Sequence, residues 1–422
     1  MSKVICYPRC CVPKTYNDDC YYFEMFSVPE QKRSNVGHVG VQLFKELRKS
    51  EIAPTIVALD FTIIAMAVVA ADKAVLRKNS ADGWTRKIEL CIYLHDAPKW
   101  RREKSKLENM LRFLSGDFWD LDINALPVSL VPQKKYDLKR QDCVCLLSGG
   151  MDSLVGAIDL HEKGRNPLFV SQTVRGDADH QREYALQFGT NNLCQWSNNV
   201  KKRGISEIST RARSIIFFAF ALLASCGIEC NSQGKKELFV PENGYISLNM
   251  PLDPLRAGSL STKTTHPVYM KSMQEIWNDV GINIDFVLPY KYKTKGEVLL
   301  ECKNQDLMKK FIFGSTSCGK YQRKLQHCGV CVPCLVRRAA FLKNNLYDTT
   351  EGGYFKENLQ YSYSKDVAAA ALAVVQYKKN GIESLVKGIL SFAKGEERNL
   401  YLGVIERGLL EMEALLREYK VI

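Results

Sequence analysis

Two adjacent glycines set between serines, with an aspartate close behind, constrain this chain more than any other feature. In LLSGGMDSLVG, residues Ser148, Gly149, Gly150, Met151, Asp152 and Ser153 stand between a short apolar run, 143–147, and a helical pattern that begins near Asp152 and Ser153. Lacking side chains, Gly149 and Gly150 let successive backbone N–H groups turn inward. The hydroxyls of Ser148 and Ser153 and the positive end of the following helix complete a nest for phosphate oxygens. A carboxylate at Asp152 is out of place in a plain anion site and fits if Mg²⁺ accompanies the phosphates. The plainer reading is a strand-to-helix turn, with Gly for geometry and Asp or Ser as N-cap.

The surrounding pattern alternates. Strands are expected at 143–147, 167–174, 237–244 and 282–290, with helices from Asp152, up to Phe188 and over 213–227. Such alternation implies crossover connections and an α/β fold with a doubly wound parallel sheet. A length of 422 residues exceeds the usual domain of about 150, and the polar, basic stretch 132–142 reads as a linker. Three regions follow: an α+β accessory part over 1–140, the loop-bearing domain over 141–341, and a wholly helical extension over 342–422. In the first, 60–77 reads as a buried helix with Asp60 at its start, 86–94 as a strand, and 102–116 as a helix stopped by Gly116. In the last, Leu402, Ile405, Leu409, Met412 and Leu416 form one apolar stripe. The most apolar run, 61–71, is far shorter than the roughly 20 residues that span a bilayer, so no membrane partner is expected. A net charge of +13 suits a phosphate-rich ligand, nucleotide or nucleic acid.

The fifteen cysteines are an odd number, and the N-terminal sequence has no apolar leader. Both point to thiols in a reducing, cytoplasmic compartment rather than to a disulfide framework. Cys318, Cys328, Cys331 and Cys334 have the spacing C-x9-C-x2-C-x2-C. This suits a tetrahedral Zn²⁺ site with no open position, hence a structural one. An iron–sulfur cluster uses the same four ligands, and unpaired core thiols are the plain alternative. Lys320, Arg323, Lys324, Arg337 and Arg338 would offset the thiolate charge. Cys6, Cys10, Cys11 and Cys20 are irregularly spaced and read as loop thiols or a weaker metal candidate. GSTSCGKY, 314–321, matches part of a Walker A loop, but Tyr321 replaces the hydroxyl that should hold Mg²⁺.

SGGMDS carries the signature of the PP-loop ATP pyrophosphatases. With CGVCVPCLVRRAAF, HQRE (180–183), TRARSIIFFAFALLAS (210–225), VPENGYISLN (240–249) and TKGEV (294–298), the stretch 143–341 resembles the 7-cyano-7-deazaguanine synthase family. The resemblance implies cleavage of ATP between its α and β phosphates. Ser148, Gly149, Gly150, Asp152 and Ser153 would hold pyrophosphate and Mg²⁺, and the four-cysteine set would hold Zn²⁺. Arg213 or Arg211 would neutralise the α-phosphate, with Lys295 near the phosphates, although Thr294 and Glu297 also form a capping box. Glu242 and Asn243, at a strand end, would read the edge of a deazapurine base, with His180 also at the substrate. The plain readings are a turn-forming ENG, a surface charge at Arg213 and a hydrogen-bonding residue at His180. Ser214 departs from the family's Asn, and RGDAD (175–179) from its Gly-Gln-Arg.

The segments before and after this stretch resemble the extended members of the family found in bacterial anti-phage defence operons. That likeness implies adenylation of 7-carboxy-7-deazaguanine and transfer to an amine, the N-terminus of a partner protein from the same operon. Three alternatives stand beside it: a nitrile-forming synthase using ammonia, an RNA-thiolating enzyme, for which nucleic acid is the less favoured partner, and a non-catalytic nucleotide-binding scaffold.

Overall fold

Short apolar runs build two stacks of parallel strands. The computed structural model describes residues 1–253, 263–386 and 388–422. Strands β1 (Ser2–Pro8), β2 (Cys20–Met25), β3 (Val36–Val39), β4 (Lys87–Leu94) and β5 (Phe118–Ala125) form one sheet in the order β3-β2-β1-β4-β5. Every pairing in it is parallel. The expected α+β accessory part is therefore corrected to a second α/β layer. Parallel neighbours need crossovers, and the apolar helix Ile56–Ala74 provides the one between β3 and β4. That helix starts before Asp60, because the Thr55 side chain accepts from Ala58 N. Asp60 is instead fully buried and takes hydrogen bonds from His95 N (2.8 Å), His95 Nδ1 (2.6 Å) and Asp96 N (2.9 Å).

The second sheet contains β6 (Cys143–Leu146), β7 (Pro167–Gln172), β8 (Leu193–Trp196), β9 (Lys236–Phe239) and β10 (Ile284–Val287), ordered β10-β9-β6-β7-β8 and all parallel. Strand order reverses between β6 and β9, which makes the carboxyl ends of these two strands the topological switch point. Numbered within itself, each sheet has the same order, so the architecture is doubled even though the sequence shows no repeat. β9 and β10 are shorter than the strands expected at 237–244 and 282–290. The chain after β9 turns into the helix Gly244–Leu248, capped by Asn243.

A single apolar core runs through both sheets. The helix Ile56–Ala74 packs against the helix Ile215–Ser225, and Phe61, Val68, Phe218, Leu222 and Trp277 belong to one buried cluster. Both helices are buried on nearly all sides and mostly apolar, as elements packed between layers are. A buried ionic network lies beside this seam. The Arg86 guanidinium donates to Asp117 Oδ2 (2.6 Å) and Asp72 Oδ1 (2.5 Å), and Arg77 donates to both Asp117 oxygens at 2.9 and 3.0 Å. Asp72 Oδ2 also accepts from Arg211 N and Ala212 N at 2.7 and 2.8 Å, so a carboxylate of the first layer fixes the chain entering a helix of the second. Removing one member leaves buried charges unpaired. Asp117→Ala is therefore expected to destabilise the fold by about 3–5 kcal/mol, read as a shift in denaturant midpoint; a shift below about 1 kcal/mol would show that the guanidinium groups find other partners.

The C-terminal region is only partly helical, contrary to expectation. The helices Val332–Lys343, Lys365–Asn380, Ile382–Val386 and Gly395–Glu418 are interrupted by an irregular strap over 344–364. Gly352 and Gly353 take positive φ there, and Phe355 N donates to His327 O at 2.8 Å, tying the strap to the cysteine-rich segment. On the last helix Ile405, Leu409, Met412 and Leu416 are buried and Leu402 partly so. Gly408 allows close approach: a Cβ there would stand 2.1 Å from the Tyr245 ring. Among the described residues no helix is long and apolar enough to cross a membrane.

Candidate functional site

The glycine pair occupies the switch point at the carboxyl end of β6. Gly149 has φ +90°, which L side chains rarely adopt, and a Cβ on Gly150 would meet Thr316 O at 3.2 Å. Gly150 precedes the helix Met151–Glu162 and gives it no side-chain cap, whereas Thr55, Asn243, Thr294 and Asn304 all cap theirs. First-turn N–H groups have no intrahelical acceptor, so this helix start keeps donors for an anion. Ser148 Oγ and Ser153 Oγ stand 3.1 Å apart across the loop, and Ser153 Oγ donates to Gly150 O at 2.9 Å.

Asp152, on the first turn, is buried. Its Oδ2 accepts from Asn243 Nδ2 and pairs with Lys295 Nζ, both at 2.8 Å. Its Oδ1 is buried without a hydrogen-bond partner. An orphaned carboxylate oxygen beside uncapped N–H groups suits a divalent cation that accompanies phosphates. Glu242 approaches the same cluster. Burial raises its carboxyl above the usual range, against the hydrogen bond from the Thr265 hydroxyl, and the Asp152 charge adds to the rise.

The expected substrate-reading residues divide. Asn243 is fully buried, with Oδ1 capping Ile246 N (3.0 Å) and Nδ2 donating to Asp152 at 2.8 Å, so it positions the aspartate. His180 stands apart from Glu242. Its ring faces Gly314 and lies within 4 Å of Glu183 (3.7 Å) and Glu351 (3.9 Å). Arg213 is exposed and acts electrostatically on Asp177, whose carboxyl burial pushes up and which packs against Gly149. Arg211 is buried over the Trp84 ring, 4.3 Å from its centroid. Burial and the neighbouring Arg77 pull its guanidinium down to about 10.

The four cysteines converge as spaced. The sulfurs of Cys318, Cys328, Cys331 and Cys334 all lie within 4.8 Å of one another, and Cys328 N and Lys320 N each donate to Cys318 Sγ at 3.3 Å. Among the described residues this is the one group of three or more His, Cys, Asp or Glu side chains close enough to hold a metal ion together. Cys6 is buried in β1, Cys20 opens β2, and Cys10 and Cys11 lie 3.9 Å apart on a turn, so the N-terminal thiols form no comparable set. All fifteen cysteines are free. Of the nearby cations, Arg337 and Arg338 are buried and donate to carbonyls, Arg337 to Ser315 O (2.7 Å) and Arg338 to Glu357 O (2.7 Å), so neither is available to phosphate.

Other residues support the loop without having stood out in the sequence. Gln181 Nε2 donates to Ser148 O at 3.0 Å, and Thr316 N donates to Gly149 O at 2.9 Å. Thr316 lies in the Walker-like stretch, which thus braces the glycine loop. Glu411, from the last helix, takes hydrogen bonds from Thr294 Oγ1, Gly296 N and Lys343 Nζ, clamping the turn that carries Lys295. Only the capping box at Thr294 and Glu297 signalled that turn in advance. Comparisons of this chain with protein-family models, with curated proteins and with solved structures find no match.

Proposed function

We propose that this chain is an ATP-dependent, AMP-forming ligase that adenylates the carboxylate of 7-carboxy-7-deazaguanine and passes the acyl group to an amine. The acceptor in this reading is the N-terminus of a partner protein in an anti-phage defence system. The observation that supports it most directly is the uncapped, glycine-lined helix start meeting a buried carboxylate with one unpartnered oxygen at a sheet's switch point.

In this reading the loop N–H groups with Ser148 and Ser153 would hold the β and γ phosphates, and Asp152 would hold Mg²⁺. A bound Mg²⁺ would neutralise phosphate charge. Asn243 keeps Asp152 in its rotamer. Lys295 and Arg213 offset charge as the substrate carboxylate attacks the α-phosphorus and pyrophosphate leaves with the electron pair of the broken P–O bond. The amine then attacks the acyl carbon, AMP departs, and the amine proton passes to solvent. Glu242, the strand-end carboxyl not consumed by capping, is the group left to meet the base. Zn²⁺, in a closed four-thiolate set, is structural.

A thiolating reading would need a reactive thiol at the loop, yet Cys318, just beyond Thr316, belongs to the four-sulfur set. The test is to incubate the full chain with ATP, Mg²⁺, 7-carboxy-7-deazaguanine and proteins from neighbouring genes, and to weigh intact masses. One acceptor should gain the acyl mass, with AMP and pyrophosphate formed in equal amounts. Unchanged protein masses with free nitrile accumulating in ammonia would replace this reading with that of a nitrile synthase.

A further inference from the structure

A basic groove separates the cysteine knuckle from the helix Lys365–Asn380. Lys320, Arg323, Lys324, Lys356 and Lys365 line a cavity of about 500 Å³ together with Phe355. Its one lining carboxylate is Asp366. Five cations against one carboxylate give the cavity lining an excess of positive charge, and an anionic ligand relieves their repulsion. Lys365 also opens a helix to which its N-cap, Ser364, gives no side-chain capping bond, the end where the helix dipole disfavours a cation.

One aromatic ring, Phe355, lines the groove, and two more are exposed on the strap just outside its lining. Phe355 is 58% exposed beneath Lys324, whose Nζ is 3.8 Å from the ring centroid, and Tyr361 and Tyr363 on the same strap are 68% and 98% exposed. This strap is not loose: Lys356 N donates to Cys328 O (3.2 Å) and Ser364 Oγ to Val330 O (3.3 Å). Tyr363 takes φ +48° and Leu325, between two lining residues, φ +54°. Bulky residues in that conformation are strained, and such strain persists where something else selects for it. At Tyr363 no packing offsets it.

We propose that this groove binds single-stranded nucleic acid, its cations tracking the phosphates and Phe355 and Tyr363 stacking on bases. Cations alone would suit any polyanion, whereas flat, solvent-facing rings beside them match unpaired bases. A cavity of this size is within the range of ligand sites. This binding is independent of the ligase reading, since none of these residues belongs to the loop.

The test measures fluorescence anisotropy of labelled 12-nucleotide RNA and DNA strands with the full chain from 50 to 200 mM salt. Affinity should fall with salt with a slope of about −0.7 per contacted phosphate. Phe355→Ala and Tyr363→Ala should each weaken binding about tenfold, and the pair Arg323→Ala, Lys324→Ala should flatten the slope by about 1.4. Unchanged zinc content and melting temperature confirm that the variants fold. Preference for RNA or for DNA identifies the source. No binding at 50 mM salt, equal binding of duplex, equal competition by poly-glutamate, or indifference to the aromatic substitutions would each overturn the proposal.

Discussion

Asp152→Asn is expected to reduce ATP–pyrophosphate exchange by roughly 10²–10³-fold, the usual size of losing one preorganised electrostatic contact at a reacting phosphate. The substitution keeps the side-chain shape and removes the charge. It also leaves Lys295 buried without its 2.8 Å partner, so a structural loss must be separated from a catalytic one. Two measurements do so. Melting temperature reports the structural part, and Asn243→Ala, which removes the group holding Asp152 while keeping its charge, should cost only about 10–100-fold, as loss of an outer partner commonly does. If Asp152→Asn melts like the parent and exchanges pyrophosphate at full rate, the loop is not the reaction centre.

The two extra regions have a common structural effect on this site. From the N-terminal layer, Asp72 holds Arg211 N and Ala212 N at the approach to Arg213; from the C-terminal helix, Glu411 holds Gly296 N and the Thr294 hydroxyl beside Lys295. Cationic residues on either side of the loop are thus fixed by segments lying outside 141–341. A carboxylate that accepts backbone N–H groups locks the chain more tightly than an exposed ion pair, because both partners are buried and their geometry is set by the backbone.

What could be read from the sequence follows from how local each feature is. The glycine loop and the cysteine set are local patterns whose spacing dictates their geometry, and the cysteine sulfurs do converge. β6 and β7 were legible as apolar runs because a strand buried on both faces needs no alternation. β1 to β3 were not, since polar residues such as Ser2, Lys3, Glu24 and His38 break up their apolar runs and β3 is only four residues long. Asp60 suggested a helix N-cap, but its partners, His95 and Asp96, arrive from β4's far end, a distance no local pattern reports. The role of Asn243 in holding Asp152 was hidden for the same reason, since the two residues are ninety-one positions apart. The non-helical strap at 344–364 was missed because it pairs with the knuckle rather than with a neighbour in sequence.

That pairing makes the metal site the second place where a single change should have a large effect. Cys334→Ser removes one of four converging sulfurs, and a three-thiolate set binds Zn²⁺ far less tightly; structural zinc sites contribute about 10–16 kcal/mol of binding in small domains. Metal content should drop from one equivalent to near zero. The consequences spread along two routes. The segment before Cys318 carries Thr316, whose N–H holds Gly149 O at 2.9 Å, so the glycine loop loses a brace. His327 O and Cys328 O hold the strap through Phe355 N and Lys356 N, so the C-terminal helices lose their anchor. Pyrophosphate exchange and melting temperature should therefore fall together in Cys334→Ser. Cys10→Ser, an exposed thiol outside the set, should change neither. Elemental analysis of the parent decides the metal: zinc supports the tetrahedral thiolate site, whereas iron with acid-labile sulfide would replace it with a cluster. A Cys334→Ser protein that keeps a full equivalent of metal and its parent's stability would refute the ligand assignment.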